Sequence, residues 1–168
     1  MSALLRVDGG SAITYAPIGD DDAVPENGAV LVSFARWERD RAQLDARKAP
    51  LAIQLPNTAD IATIDPAVLK ADLIVLQFPS FGDGRGYSQA RLLRDARGYK
   101  GELRATGAAV VRDQLLGMVR CGIDSFELRA DQSPESCMEA LKDFSIAYQP
   151  PADDLPQIRS LRRRSMST

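Results

Sequence analysis

Short runs of β-prone apolar residues recur along the chain, and stretches with helical spacing separate them. The predicted strands span residues 29–32, 51–55, 73–78, 102–106, 125–128 and 145–148, and the predicted helices span 36–47, 66–71, 86–97, 108–120 and 134–142. Successive strands begin roughly 20 to 30 residues apart, which is the length of a strand with its crossover helix. The pattern therefore predicts an α/β fold of parallel βα repeats with right-handed connections.

Local chemistry supports several of the predicted helices. Val111, Leu115 and Met118 recur at helical spacing, which places them in one apolar stripe. Gly98 and Gly122 follow predicted helices at the position where a left-handed residue commonly ends a helix. These glycines predict where two of the crossover helices stop.

The predicted strands are not uniformly apolar, and this bears on the shape of the sheet. Polar residues interrupt most of them, namely Gln54, Gln77, Glu102 with Arg104, and Glu127 with Arg129. Strands covered on both faces are nearly all apolar, whereas alternation suits strands whose inner face lines a barrel or a polar cleft. Because six βα units are too few for eight strands, an incomplete or TIM-like barrel is favoured. An open doubly wound sheet is the alternative.

The two ends of the chain lie outside this repeat. Residues 4–7 and 12–15 flank Asp8-Gly9-Gly10, a turn sequence that predicts an N-terminal β-hairpin. Residues 1–150 are expected to form a single α/β domain. Residues 151–168 carry four arginines after a pair of prolines, which predicts a disordered basic tail.

Composition limits the classes of function. The chain has 168 residues, of which 45% are hydrophobic and 26% are charged, as in ordinary globular domains. A net charge of −2 provides no basic field for nucleic acid. The start, MSALLRVDGG, does not resemble a secretory leader, and no apolar stretch approaches the ~20 residues that cross a bilayer. We therefore expect a cytoplasmic protein that binds neither nucleic acid nor a membrane.

The chain contains no histidine, and its two cysteines are Cys121 and Cys137. Ser-His-Asp and Cys-His catalytic arrangements are therefore excluded, as is a zinc site of the common Cys/His kinds. Cys121 could act as a redox thiol, yet it ends a predicted helix, where the dipole disfavours a thiolate, and it has no CxxC partner. A buried structural cysteine is the preferred interpretation. A disulfide between the two is disfavoured in the cytosol. No metal site is predicted, and no cofactor is identified.

The segment from Phe78 to Ser88, FPSFGDGRGYS, is the most informative in the chain. It follows a predicted strand and opens a helix, so it lies at the carboxyl end of the sheet, where α/β proteins bind ligands. Backbone N–H groups around Gly84 and Gly86, together with Ser88, suit a small oxyanion. Arg85 could clamp the same anion through two hydrogen bonds.

Two other interpretations of this loop stay open. Asp83 and Arg85 could simply pair with each other in a tight turn. A dinucleotide site would need a GxGxxG sequence directly after the strand, whereas here the glycines occupy alternate positions. The acid that would bind a ribose, Glu102, opens its strand rather than ending it.

Three residues are candidates for catalysis: Asp83 in the loop, Tyr87 in the following helix and Glu127 on a later strand. Arg104, on the strand between them, adds a second cation for an anionic ligand. We expect Asp83, Arg85 and Tyr87 to line one pocket that Arg104 and Glu127 face from neighbouring strands. Since an unpaired buried charge is costly, these groups should meet each other or a ligand.

Three runs of sequence carry a resemblance to a known family. They are FPSFGDGRGYSQARLLRDARGYKGELRATG, VRDQLLGMVRCGIDSFELRADQ and DFSIAYQ. With these runs the chain resembles the bacterial family known as domain of unknown function nine-three-four, most strongly over residues 73–149. Asp83, Arg104 and Glu127 fall on positions of the family pattern, whereas Ala108 stands where the pattern has an aspartate.

The resemblance implies a role in assimilatory sulfite reduction, because genes of this family lie beside those of sulfite reductase. It implies an accessory protein or an oxidoreductase that handles a small oxyanion, with a sulfite reductase subunit as its partner. A non-catalytic binding or assembly partner of sulfite reductase is the alternative, and self-association into a homo-oligomer stays open. The resemblance identifies no catalytic residue.

Overall fold

The computed structural model describes residues 3–142, so the predicted strand 145–148 and the predicted tail 151–168 lie outside the described part. The strands of this part are β1 (Leu4–Arg6), β2 (Ala16–Pro17), β3 (Val30–Ser33), β4 (Leu51–Leu55), β5 (Leu73–Gln77), β6 (Glu102–Thr106) and β7 (Ser125–Glu127). The helices are α1 (Phe34–Asp45), a 3₁₀ helix (Pro66–Lys70), α2 (Arg85–Arg91) with a π-helical turn after it (Leu92–Ala96), α3 (Arg112–Arg120) and α4 (Pro134–Lys142).

The seven strands join one sheet in the order β1-β7-β6-β5-β4-β3-β2. Strands β2 to β7 are parallel and follow one another in chain order, whereas β1 pairs antiparallel with β7. The sheet is curled into a half-barrel. The predicted parallel βα repeat is therefore confirmed for the described residues.

The described helices pack on one face of this sheet. One buried cluster contains residues of all these helices together with the strand residues that point towards them. Its helix members include Trp37 of α1, Leu93 after α2, Met118 of α3 and Cys137 of α4. The cluster on the other face, which we call the inner face, contains no residue of a described helix. A doubly wound sheet needs a reversal of strand order that places helices on both faces. The doubly wound alternative is therefore wrong.

The predicted N-terminal hairpin is also wrong, because β1 and β2 lie at opposite edges of the sheet. The turn itself forms: Gly9 has a φ of 71°, and the Asp8 carboxylate accepts the Gly10 N–H at 2.9 Å. Leu5, however, pairs with Phe126 of β7 and is buried among the helix-side residues. Residues 7–15, which we call the strap, consequently cross the inner face from one edge to the other.

Local sequence signals set several boundaries. The Ser33 hydroxyl accepts the Arg36 N–H at 3.0 Å and caps α1, as a serine at this position commonly does. Gly98 and Gly122 have φ values of 65° and 95°, which confirms both as left-handed residues at helix ends. After α3, the Gly122 N–H donates to the carbonyl of Val119 at 2.8 Å. These signals place the strand ends that carry the candidate site.

Candidate functional site

The inner face carries the polar strand residues that the sequence singled out. In the register of the sheet, Val75 pairs with Arg104 and Arg104 pairs with Ser125. Because alternate residues of a strand share a face, the other polar residues of these strands also lie on the inner face. They are Gln54, Gln77, Glu102, Arg104, Thr106, Ser125 and Glu127. The alternation in the sequence thus marks the side of the sheet that the helices leave open.

Arg104 is the buried cation of this face, with 7% of its surface exposed. Its Nε donates to the Ser125 hydroxyl at 3.1 Å, and its Nη2 donates to Glu102 at 2.8 Å and to the carbonyl of Ile13 in the strap at 3.2 Å. The guanidinium lies 5.8 Å from the ring centre of Tyr15. Nη1 has no hydrogen-bond partner among the described residues. It is also not among the fully buried nitrogens that lack a partner, so part of its surface stays accessible to solvent.

Glu102 compensates two guanidinium groups at once. Its carboxylate accepts Arg104 Nη2 at 2.8 Å, Arg6 Nη1 at 2.8 Å and the Ser125 hydroxyl at 2.5 Å. Arg6 has a further partner in Asp8, on the exposed side of the cluster, at 3.0 Å. Arg104 must therefore share its buried counter-charge, which leaves it suited to a second anionic partner.

A cavity of about 290 Å³ opens beside Arg104. Glu127, at the end of β7, also lines it, and the Thr106 hydroxyl donates to the Glu127 carboxylate at 2.9 Å. The strap contributes Thr14 and Tyr15 to the lining. Burial, reinforced by nearby carboxylates, raises the pKa of the Tyr15 phenol, so this group is uncharged at neutral pH. Two of the predicted site residues, Arg104 and Glu127, therefore share one partly covered cavity.

The loop after β5 is closed by a local ion pair. Arg85 Nε and Nη2 donate to the two carboxylate oxygens of Asp83 at 2.9 and 2.7 Å, and Asn57 donates to the same group at 2.7 Å. The hydrogen bonds from Arg85 lower the pKa of Asp83 to about 2. The interpretation in which Asp83 and Arg85 pair in a tight turn is thus confirmed. An oxyanion at this loop stays a prediction.

A second arginine–aspartate pair in the chain has the same geometry. Arg129 Nε and Nη2 donate to the carboxylate oxygens of Asp131 at 2.6 and 2.7 Å, again across two residues of sequence. The pair is exposed and lies at neither cavity that carries predicted site residues. The Asp83–Arg85 geometry therefore needs no ligand to explain it, and Arg129 offers a matched control for substitutions of arginine.

The other predicted loop residues have structural roles. A Cβ added at Gly86 would lie 2.7 Å from the Phe78 ring, so glycine is required there for close packing. The Tyr87 ring meets Phe78 edge-on at 5.2 Å, and its hydroxyl donates to Gln114 at 2.5 Å. Burial raises the pKa of Tyr87. Tyr87 consequently lies between α2 and α3, on the helix side of the sheet.

The predicted single pocket is divided in two. Arg85 and Ser88 line a cavity of about 300 Å³ between α2 and the loop after β4. Arg104 and Glu127 line the inner-face cavity instead, because their positions in the strand alternation point them away from the helices. Sequence reasoning missed Tyr15, since its segment was assigned to a hairpin.

Both cysteines are free thiols, with Cys137 buried and Cys121 half-buried. Burial raises the pKa of each, which disfavours the thiolate that redox chemistry needs. Within residues 3–142, no group of three or more acidic or cysteine side chains is placed to hold a metal ion. In the same range, none of the helices has the length and apolarity that a membrane crossing requires.

Comparison with known proteins places the chain in a family. A search of curated proteins found no match. A family model described as a bacterial protein of unknown function, DUF934, matches residues 52–158, which is more than half of the chain, begins within β4 and includes β5 to β7. Arg104 and Glu127 both lie inside the matched range. The chain therefore belongs to the bacterial DUF934 family.

Proposed function

We propose that this protein acts in assimilatory sulfite reduction as an accessory protein that binds a small anion in the inner-face cavity. The observation that supports the proposal is the guanidinium of Arg104, which is buried, lines the cavity and makes no hydrogen bond through Nη1 among the described residues. Hydrogen bonds from a guanidinium to an anionic oxygen are roughly twice as strong as neutral ones. The pathway itself comes from the family resemblance.

Arg104 supplies the positive charge that an anionic ligand of this cavity would contact. Arg6 and Arg104 share the carboxylate of Glu102, so Arg104 does not have that counter-charge to itself. The site lies on the inner face of a parallel half-barrel, with Glu127 at a carboxyl strand end, where ligands of related architectures bind. Sulfite, sulfate and small carboxylates carry the chemistry that Nη1 would recognise.

Arg104→Gln is expected to abolish the stabilisation of the protein by such anions. An anion at about ten times its Kd contributes about 1.4 kcal/mol, which raises the Tm of a chain of this size by roughly 3 to 6 °C. The measurement is the Tm with sulfite, sulfate, phosphate or acetate, taken relative to each variant without anion. In a host strain that lacks the gene, the same variant should fail to restore growth on sulfate as the sole sulfur source.

Two further variants make this prediction specific. Arg129→Gln removes an arginine of similar exposure to Arg85 and should behave as the unmodified protein in both measurements. Arg85→Ala should do the same if the ligand lies in the inner-face cavity. Loss of the shift in Arg85→Ala alone would place the anion at the loop. Normal growth of the deletion strain would contradict the role in sulfite reduction.

A second candidate function is that of a non-catalytic assembly partner of sulfite reductase, and the side chain of Phe81 favours it. This ring is 70% exposed at the tip of a loop that Asn57, Asp83 and Arg85 hold in place. A rigidly presented aromatic is a common anchor in protein interfaces.

We predict that Phe81→Ser reduces the retention of purified sulfite reductase on the tagged protein by about tenfold or more, since loss of such an anchor costs ~2 kcal/mol. Ile13→Ser, at a strap residue that is 52% exposed, is the matched control and should retain the reductase. Equal retention by both variants would exclude Phe81 as the anchor. Failure of the unmodified protein to retain the reductase would exclude this second function.

A further inference from the structure

The strap crosses the inner face with few attachments to the rest of the fold. Residues 8–14 are exposed apart from the half-buried Ala12, and no backbone N–H of residues 11–14 donates a hydrogen bond within the described part of the chain. One bond joins this stretch to the sheet, from Arg104 Nη2 to the Ile13 carbonyl at 3.2 Å. A segment with so few buried contacts and bonds belongs to the low-stability end of a fold.

Both ends of the strap are fixed. At one end the Val7 N–H donates to the Asp124 carbonyl at 2.9 Å, and the left-handed turn at Gly9 follows. At the other end the Tyr15 ring is buried on the inner face, in one cluster with Val75. The strap therefore has the form of a lid, with two anchors and a loosely attached middle.

Thr14 is the strap residue next to this attachment whose side chain carries a hydrogen-bond donor. It lines the inner-face cavity together with Arg104. The carbonyl that Arg104 holds belongs to the peptide bond between Ile13 and Thr14, and the C=O and N–H of a trans peptide point in opposite directions. The Thr14 N–H therefore faces away from the guanidinium, and the donor that remains is the hydroxyl. This hydroxyl has no hydrogen-bond partner among residues 3–142.

We infer that the anion is bound between Nη1 of Arg104 and the hydroxyl of Thr14, and that the strap thereby closes over it as a lid. The inference deepens the proposed function and rests on it for the presence of an anion in this cavity. Arg104 uses Nε and Nη2 for protein partners, which leaves Nη1 for one oxygen of the anion. A second oxygen accepts from Thr14. The ligand class is therefore an oxyanion with at least two terminal oxygens, such as sulfite, sulfate or a carboxylate.

The anion supplies an attachment that the middle of the strap lacks. Without it, a single hydrogen bond to the neutral carbonyl of Ile13 joins residues 11–14 to the sheet. With it, a charged group also bridges Arg104 and Thr14, and hydrogen bonds to charged groups contribute more than neutral ones. Closure of the strap and affinity for the anion are then coupled, so each increases the other by the same factor.

The test compares Thr14→Val with Ser11→Ala in the full chain, with sulfate and acetate as the probes. Valine keeps the shape of threonine without its hydroxyl, and Ser11 is an exposed hydroxyl of the same strap that does not line the cavity. Calorimetry should show that Thr14→Val weakens both anions about tenfold or more, because one hydrogen bond to a charged group is lost. Ser11→Ala should bind as the unmodified protein does. Both variants should keep the Tm of the unmodified protein without anion, since both side chains are exposed.

Hydrogen exchange at the amides of residues 9–14 measures the lid directly. Saturating sulfate should slow this exchange about tenfold or more in the unmodified protein and in Ser11→Ala. In Thr14→Val, at a sulfate concentration that saturates that variant, the exchange should stay within about twofold of the rate without anion. A loss of affinity that leaves the strap protected would contradict the lid.

The outcomes separate this inference from the proposed function. Equal affinity of Thr14→Val and the unmodified protein, with binding still lost in Arg104→Gln, would overturn the inference and leave the proposed function standing. Unchanged exchange of the strap in the saturated unmodified protein would do the same. Failure of the unmodified protein to bind any of the anions would overturn both.

Discussion

Gly107→Ala is expected to lower the free energy of unfolding by about 3 kcal/mol or more. Gly107 has a φ of 119°, and a Cβ added there would lie 2.4 Å from the carbonyl oxygen of Phe78. That carbonyl cannot easily move, because it accepts the Ala109 N–H at 3.0 Å while the Phe78 N–H donates to Thr106 at 2.7 Å. The strained backbone and the steric clash add to each other. Urea denaturation of the two proteins measures the difference.

Gly84→Ala is the matched control for this substitution. Gly84 has a φ of −84°, and a Cβ added there would meet nothing within 4 Å. The free energy of unfolding should therefore change by less than about 1 kcal/mol. If both variants lose the same stability, the close approach of Gly107 to Phe78 is not the cause.

Arg94→Met should have the second largest effect, a loss of about 3 kcal/mol, because it removes one guanidinium that satisfies several buried groups. Arg94 donates to the backbone carbonyls of Gly122, Tyr99 and Gly101 at 2.8 to 2.9 Å, and it forms an ion pair with Asp124. Methionine keeps much of the aliphatic volume and loses every donor. The measurement is the urea midpoint at neutral pH.

Arg91→Met provides the comparison one helical turn earlier. Arg91 pairs with Asp95 at 2.7 Å, but both side chains are substantially exposed, at 37% and 52%. Exposed pairs of this spacing contribute about 0.3 to 0.5 kcal/mol. A loss in Arg91→Met as large as that in Arg94→Met would show that helix propensity or volume, rather than the buried donors, determines the result.

Much of the fold could be predicted because its signals are local. Strands β4 and β6 and helix α4 have the same bounds in the prediction and in the structure. Their apolar spacing is set within each segment, so no distant residue is needed to recognise it. The inner face was foreseeable for the same reason, since Gln54, Gln77 and Arg104 alternate with apolar neighbours within their own strands.

The long-range pairings could not be predicted in this way. The turn at Gly9 is real, yet the strand before it pairs with β7 because that register buries Leu5 under the helices. Nothing within residues 4–15 indicates whether β1 pairs with β7 or with the segment that follows the turn at Gly9. The face on which each helix packs is likewise a property of strand order, which the apolar pattern does not encode.

The candidate site was only partly predictable. Arg104 and Glu127 line the same cavity because the alternation along their strands turns both side chains to the inner face. Tyr87 was assigned to the same pocket, but the phase of α2 turns its ring towards Phe78 and Gln114. The rotation of α2 about its axis depends on the direction in which the preceding loop joins its first turn. The Asp83–Arg85 ion pair sets that direction, and the spacing of residues in the sequence does not reveal it.

The path of the strap determines the stage of protein synthesis at which the inner-face cavity can form. Strand β1 leaves the ribosome before the other described strands, yet its hydrogen-bonding partner β7 is the last described strand to be synthesised. Contacts of such high sequence separation slow folding, and β1 must wait in the nascent chain while the other strands pair. The inner-face cavity is lined by both Leu4 and Glu127. It can therefore form only after nearly all of the described chain has left the ribosome.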